Sequence, residues 1–205
     1  MNPSLHDILA SYDDQSPLDH AHTIPASWYV DARVAELERQ NVFGRTWQVV
    51  ARADQVQHPG EYVTTDLAGE PLVVVRGNDH QLRAFYNVCR HHAAAVVTEP
   101  QGTASILRCP YHGWSYGLDG SLKGTPEFDG VCSFDRGQNG LLPVRVETWE
   151  QFVFVSLDPK AAPLADFLGG LVRRVAPLNL GSVHFFERRS YILNCNWKVF
   201  VDNYL

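Results

Sequence analysis

One spacing constrains this 205-residue chain more than any other. Cys89-Arg90-His91 is followed, seventeen residues on, by Cys109-Pro110-Tyr111-His112. Each half offers one thiolate and one imidazole. For the four groups to meet, the fold has to bring two loops face to face. Two kinds of centre use this ligand set. A structural zinc ion takes Cys₂His₂, usually in modules that pair like with like, as C-x₂-C and H-x₃-H. A [2Fe–2S] cluster can take two Cys on one iron and two His on the other. Here each half is mixed, which suits a cluster whose two irons are each reached by both loops. Neutral imidazoles in place of two thiolates lower the negative charge of such a cluster, so it accepts an electron more readily. Gly113-Trp114 and Tyr116-Gly117 suit tight loops around it.

The stretch from Tyr86 to Pro126, "YNVCRHHAA…LRCPYHGWSYGLDGSLKGTP", resembles the Rieske non-heme iron oxygenases. The likeness is to the large (α) subunits of ring-hydroxylating dioxygenases and to their choline-monooxygenase-like relatives. A second block, "NCNWKVFVDNYL", is similar to the start of that family's catalytic domain. The resemblance implies a mainly β fold: a Rieske-type antiparallel β-sandwich with two cluster-binding loops, preceded by an α-helical arm and followed by the start of an α+β catalytic domain. It implies a Rieske [2Fe–2S] cluster held by Cys89, His91, Cys109 and His112. Respiratory-chain Rieske proteins carry an additional Cys in each loop and a Ser after the second His-Gly. Ala94, Tyr111 and Trp114 stand at those places, so the expected potential is low, roughly −150 mV.

The same resemblance implies a mononuclear Fe(II) on two His and a carboxylate. The family's pattern continues past Asn196-Trp197-Lys198 into an H-x₄-H pair. This chain offers Asp202 and Asn203, expected beside that iron, and then ends at Leu205. The resemblance therefore implies an N-terminal fragment of an oxygenase subunit. It would pass electrons from a reductase or ferredoxin to an iron that hydroxylates a small organic substrate with O₂, in a homotrimer or α₃β₃ assembly. Aromatic and quaternary-ammonium substrates are both open. The alternative is a stand-alone Rieske ferredoxin-like carrier, which leaves the N-terminal helix and the Asn196 block without a purpose.

The rest of the chain adds boundaries. A net charge of −6 without a Lys/Arg cluster argues against nucleic-acid binding. No apolar run approaches a membrane span, and the N-terminus lacks a signal-peptide pattern. With Cys132 and Cys195 read as reduced, a cytoplasmic location is expected. The expected organisation is an arm and helix over 1–43, the cluster domain over 44–160, and a linker with the start of a catalytic domain over 161–205. Helices are predicted at Leu5–Ala10, 31–43, 164–175 (weakened by Gly169-Gly170) and from Asn196 onward, where Trp197, Phe200, Val201, Tyr204 and Leu205 would form an apolar face. Strands are predicted at 47–51, 61–66, 71–76, 82–86, 105–108, 144–148, 152–157 and 183–193, with 71–86 a hairpin. The glycine-rich stretch 120–141 reads as a surface excursion. His92 is expected to point away from the cluster. Arg90 is a candidate for hydrogen bonds that support the loops, Tyr116 for donating to a cluster-ligand sulfur, and Trp114 for packing over the cluster.

Overall fold

The computed structural model describes residues 3–128 and 130–204. The chain forms two compact units, Phe43–His184 and a joining of Met1–Val42 with Phe185–Leu205.

The larger unit is built from short strands, as the turn-punctuated sequence predicts. They are β1 (Gln48–Arg52), β2 (Glu61–Leu67), β3 (Glu70–Arg76), β4 (Leu82–Tyr86), β5 (Gln101–Thr103), β6 (Leu107–Arg108), β7 (Ser115–Tyr116), β8 (Leu122–Gly124), β9 (Pro143–Trp149) and β10 (Phe152–Ser156). A seven-stranded sheet runs β1-β10-β9-β4-β3-β2-β5, and β6-β7-β8 form a separate three-stranded sheet. All pairings are antiparallel.

β3 explains how the two sheets share a core. Leu72, Val73, Val74 and Val75 are all fully buried. Side chains alternate faces along a strand. Val73 and Val75, with Tyr62 and Phe85, pack toward Cys89, Cys109, Trp114 and Tyr116. Leu72 and Val74 pack the other way, against Val63, Ala84, Val153 and Val155. A strand covered on both faces needs an apolar residue at every position, and each buried side chain contributes roughly 1.5–3 kcal/mol. The predicted 71–86 hairpin is present, with Val73 opposite Phe85 and Val74 opposite Ala84. Another tight turn, Ala68-Gly69, joins β2 to β3 with φ of 53° and 84°, the left-handed pair that hairpin twist favours.

Four expectations need correction. The 120–141 stretch is not merely a surface excursion: Leu122 and Leu141 are buried, and Phe128 and Phe134 fold back onto the core. The helix over 164–175 is two helices, Leu164–Leu168 and Gly170–Val175, broken at Gly169, whose φ of 47° and ψ of −123° suit only glycine. Residues 183–193 form no strand; the segment is exposed and runs as irregular backbone. The fourth correction concerns the last helix.

The smaller unit holds the helices Leu5–Ala10, Ala26–Val30, Ala32–Glu38 and Trp197–Asp202. Ser4 and Asp7 close a reciprocal cap on the first. Asp31 caps the third by accepting from the Arg33 amide at 2.9 Å, and a π-helical turn, Arg39–Phe43, follows. Asn196 caps the last by accepting from the Lys198 amide at 3.0 Å. The expected apolar face of that helix is not buried: Trp197, Phe200, Val201 and Tyr204 are exposed, while Lys198 is 8% exposed. Leu205 lies outside the described residues. The lysine is buried because it is fully partnered. Its Nζ donates to Glu38 Oε1 at 2.6 Å and to Asn196 Oδ1 at 2.9 Å, and lies over the rings of Tyr29 and Trp197.

Candidate metal centre

The two ligand loops share one backbone design. In the first, the Cys89 amide donates to the Ala94 carbonyl at 2.8 Å, and the Ala93 amide to the Cys89 carbonyl at 3.0 Å. In the second, the Cys109 amide donates to Trp114 at 2.9 Å, and the Gly113 amide to Cys109 at 3.0 Å. The fifth residue of each loop is left-handed, Ala93 at φ 58° and Gly113 at φ 74°. Each loop thus folds over its own cysteine. The closures differ. Loop two is the tip of a hairpin, with Leu107 opposite Tyr116 and Arg108 opposite Ser115. Loop one is tied by Asn87, buried ahead of the cysteine. Its side-chain oxygen accepts from the Val96 and Val97 amides at 3.1 and 2.9 Å, and its nitrogen donates to the Val97 carbonyl at 2.7 Å. Sequence reasoning missed Asn87. Its only signal was an amide two residues before a ligand, in an otherwise apolar strand end.

The sulfurs lie inside and the imidazoles outside. Cys89 and Cys109 are 3% and 2% exposed, His91 is half-buried and His112 exposed. Burial, and then the neighbouring Cys89, push the Cys109 thiol up, while the amides of Tyr111 and His112 favour its thiolate. The two imidazoles present Nδ1 to Nδ1 at 3.1 Å. Burial lowers the pKa of His91, and the neighbouring His92 and His112 lower it further, which favours the neutral ring with its lone pair available. All four cysteines are unpaired, and Cys132 and Cys195 are exposed.

Supporting residues surround these four. Tyr116, fully buried, places its hydroxyl 3.3 Å from Cys89 Sγ and accepts from the Arg90 amide at 2.9 Å. Burial and the Cys89 contact raise its pKa, so it remains a hydrogen-bond donor. The expected role of Arg90 falls to its backbone. Trp114 stacks flat on His91, with centroids 4.6 Å apart and planes 7° from parallel, and Phe128 and Phe134 meet its ring edge-on. Its indole nitrogen is buried with no acceptor among the described residues.

His92 is a further correction. It does not point away: its ring centroid lies 3.9 Å from that of His91 and 5.3 Å from that of His112. One ring nitrogen from each of the three falls within 4.8 Å of the others. Asp202 and Asn203 belong to the smaller unit. The Tyr29 hydroxyl donates to Asp202 Oδ2, and Asn203 closes the last helix.

The donor set fits a [2Fe–2S] group: two soft, buried sulfurs, two imidazoles that meet through Nδ1, and beside them Trp114, stacked on His91, whose buried N–H lacks an acceptor among the described residues. Residues 46–135 match the family model of the Rieske [2Fe–2S] domain. The chain is 38% identical over 187 residues to the carnitine monooxygenase oxygenase subunit of Escherichia coli K12, covering 90% of this chain and 50% of that protein. It is 34% identical over 209 residues to the chloroplastic choline monooxygenase of Arabidopsis thaliana, covering 97% and 49%. The crystal structure of the quaternary ammonium Rieske monooxygenase CntA with γ-butyrobetaine superposes with a TM-score of 0.84 at 36% identity, covering 90% of this chain and 53% of that one. The chain thus carries a Rieske domain in a mainly β antiparallel fold. Its relatives are oxygenase subunits, of whose length it spans about half. No helix among the described residues is long and apolar enough to cross a membrane.

Proposed function

We propose that Cys89 and Cys109 hold one iron and His91 and His112, through Nδ1, the other iron of a Rieske [2Fe–2S] cluster, and that this unit relays electrons in an oxygenase acting on a small quaternary-ammonium compound. The observation that carries the ligand assignment is the convergence of the two Nδ1 atoms at 3.1 Å above a buried cysteine pair. When bound, the cluster takes up and passes on single electrons.

The chain's own residues set the conditions for that. Tyr116 fixes the Cys89 sulfur and the start of loop one through a single hydroxyl. Trp114, with Phe128 and Phe134 behind it, keeps water from the inner side of His91. His112 stays exposed, so electrons enter or leave through the imidazole edge. A reductase or ferredoxin is the donor this arrangement calls for. The mononuclear Fe(II) of such an oxygenase needs a His pair that the sequence lacks in H-x₄-H spacing. In this reading Asp202 and Asn203 border that second site and do not build it. The names of the relatives favour carnitine- or choline-like substrates over aromatic rings.

Anaerobic reconstitution of the chain with iron and sulfide tests the assignment. Wild type should load two irons and two sulfides and give the low average g value of a His-ligated cluster. Cys89→Ser and His112→Ala should lose it, and His92→Ala should keep it. One tightly bound zinc with no iron loading would overturn the proposal.

A further inference from the structure

The shared design of the two loops puts their residues in register. With Cys89 matched to Cys109 and left-handed Ala93 to left-handed Gly113, His91 corresponds to Tyr111 and His92 to His112. The ligand of loop two stands three residues after its cysteine, whereas that of loop one stands two after. Loop one therefore carries a second imidazole at the very position from which loop two supplies its ligand.

Resting on the cluster assignment above, we propose that His92 is a spare ligand for the histidine-held iron, able to take the place of His91. Three features support this. The nitrogens of His91, His92 and His112 lie within 4.8 Å of one another, so side-chain rotation and a small loop adjustment suffice for the exchange. His92 is exposed, and no described partner in the core has to be given up. The exchange replaces one neutral imidazole with another, leaving the charge of the centre and its electron count unchanged. His91 holds the place in the native chain because Trp114 stacks flat on its ring. Loop two has no such reserve, since Tyr111 occupies the position of His91.

The test compares substitutions in the reconstituted 205-residue chain by iron and sulfide content and by EPR. His91→Ala should load two irons and two sulfides with shifted g values. His91→Tyr gives loop one the Tyr-His order of loop two and should load equally. His91→Ala/His92→Ala and His112→Ala should both stay empty. Loading in either single His91 variant, lost when His92 is also removed, supports the proposal. Both His91 variants empty while wild type and His92→Ala load would overturn it and leave the assignment of Cys89, His91, Cys109 and His112 standing. An empty wild type would overturn that assignment and the spare ligand with it.

Discussion

Replacing Tyr116 by Phe removes one oxygen from the interior and leaves the ring in place. That oxygen has two contacts, the Arg90 amide at 2.9 Å and Cys89 Sγ at 3.3 Å. Loss of the first strands a part-buried amide, at about 1–3 kcal/mol of folding stability. Loss of the second acts on the potential. A thiolate gains negative charge when its cluster is reduced, so a donated hydrogen bond favours the reduced form. If that preference is about 1 kcal/mol, at about 59 mV per tenfold change for one electron, the midpoint should fall by about 40 mV in Tyr116→Phe. Voltammetry of wild type and variant at one neutral pH measures the difference, with the EPR spectrum checking that the cluster is intact. A purely structural tyrosine would lower the melting temperature and leave the potential where it was. An unchanged or raised midpoint in a fully loaded variant would refute the hydroxyl–sulfur contact.

Two further outcomes follow from the smaller unit. Asp31 caps the helix Ala32–Glu38 and pairs with Arg33, whose side-chain hydrogen bonds hold its carboxyl near 2 against an ordinary 3.8. A depressed carboxylate pKa stabilises the fold above its unfolded value and loses that effect as pH falls. Thermal melts should therefore show wild type losing its advantage over Asp31→Asn as pH falls from about 4 to about 2; parallel curves would sink the pairing. Lys198→Met leaves the Glu38 carboxylate, 12% exposed and also bonded by the Trp197 indole, without its cation. Urea denaturation should register a loss of about 2–4 kcal/mol, most of it recovered in Lys198→Met/Glu38→Leu; a single variant as stable as wild type would contradict the buried pairing.

The parts legible in the sequence were those where local chemistry and tertiary packing agree. The β3–β4 hairpin showed as two apolar runs around Gly77-Asn78-Asp79-His80, and the ligand loops as mixed Cys/His pairs. β5, β7 and β8 are two or three residues long, too short to carry a period. They exist through tertiary pairing, β5 with β2 and β7 with β6 and β8. Residues 183–193 carry the aromatic and β-branched residues of a strand, yet the backbone there is irregular and the side chains exposed, so local composition alone did not make one. The last helix misled for the opposite reason. Hydrophobic periodicity marks which residues could be buried, but Glu38, Tyr29 and Asn196, distant in sequence or outside the pattern, decide that Lys198 is the one inside.

His92 and Asn87 share a cause. A residue next to a ligand is judged from sequence by the extended-chain rule that neighbours point oppositely. Loop one is not extended. Its hydrogen bonds from Ala93 back to Cys89 and from Cys89 on to Ala94 fold it into a turn in which adjacent side chains can face the same way. Such a turn has to be closed at its base. Where loop two uses a strand pair, loop one has only the Asn87 side chain, which stands in for a ladder by serving two amides and one carbonyl. The placing of His91 thus depends on a buried amide group that binds no metal. The same turn that presents His91 to His112 brings His92 beside both.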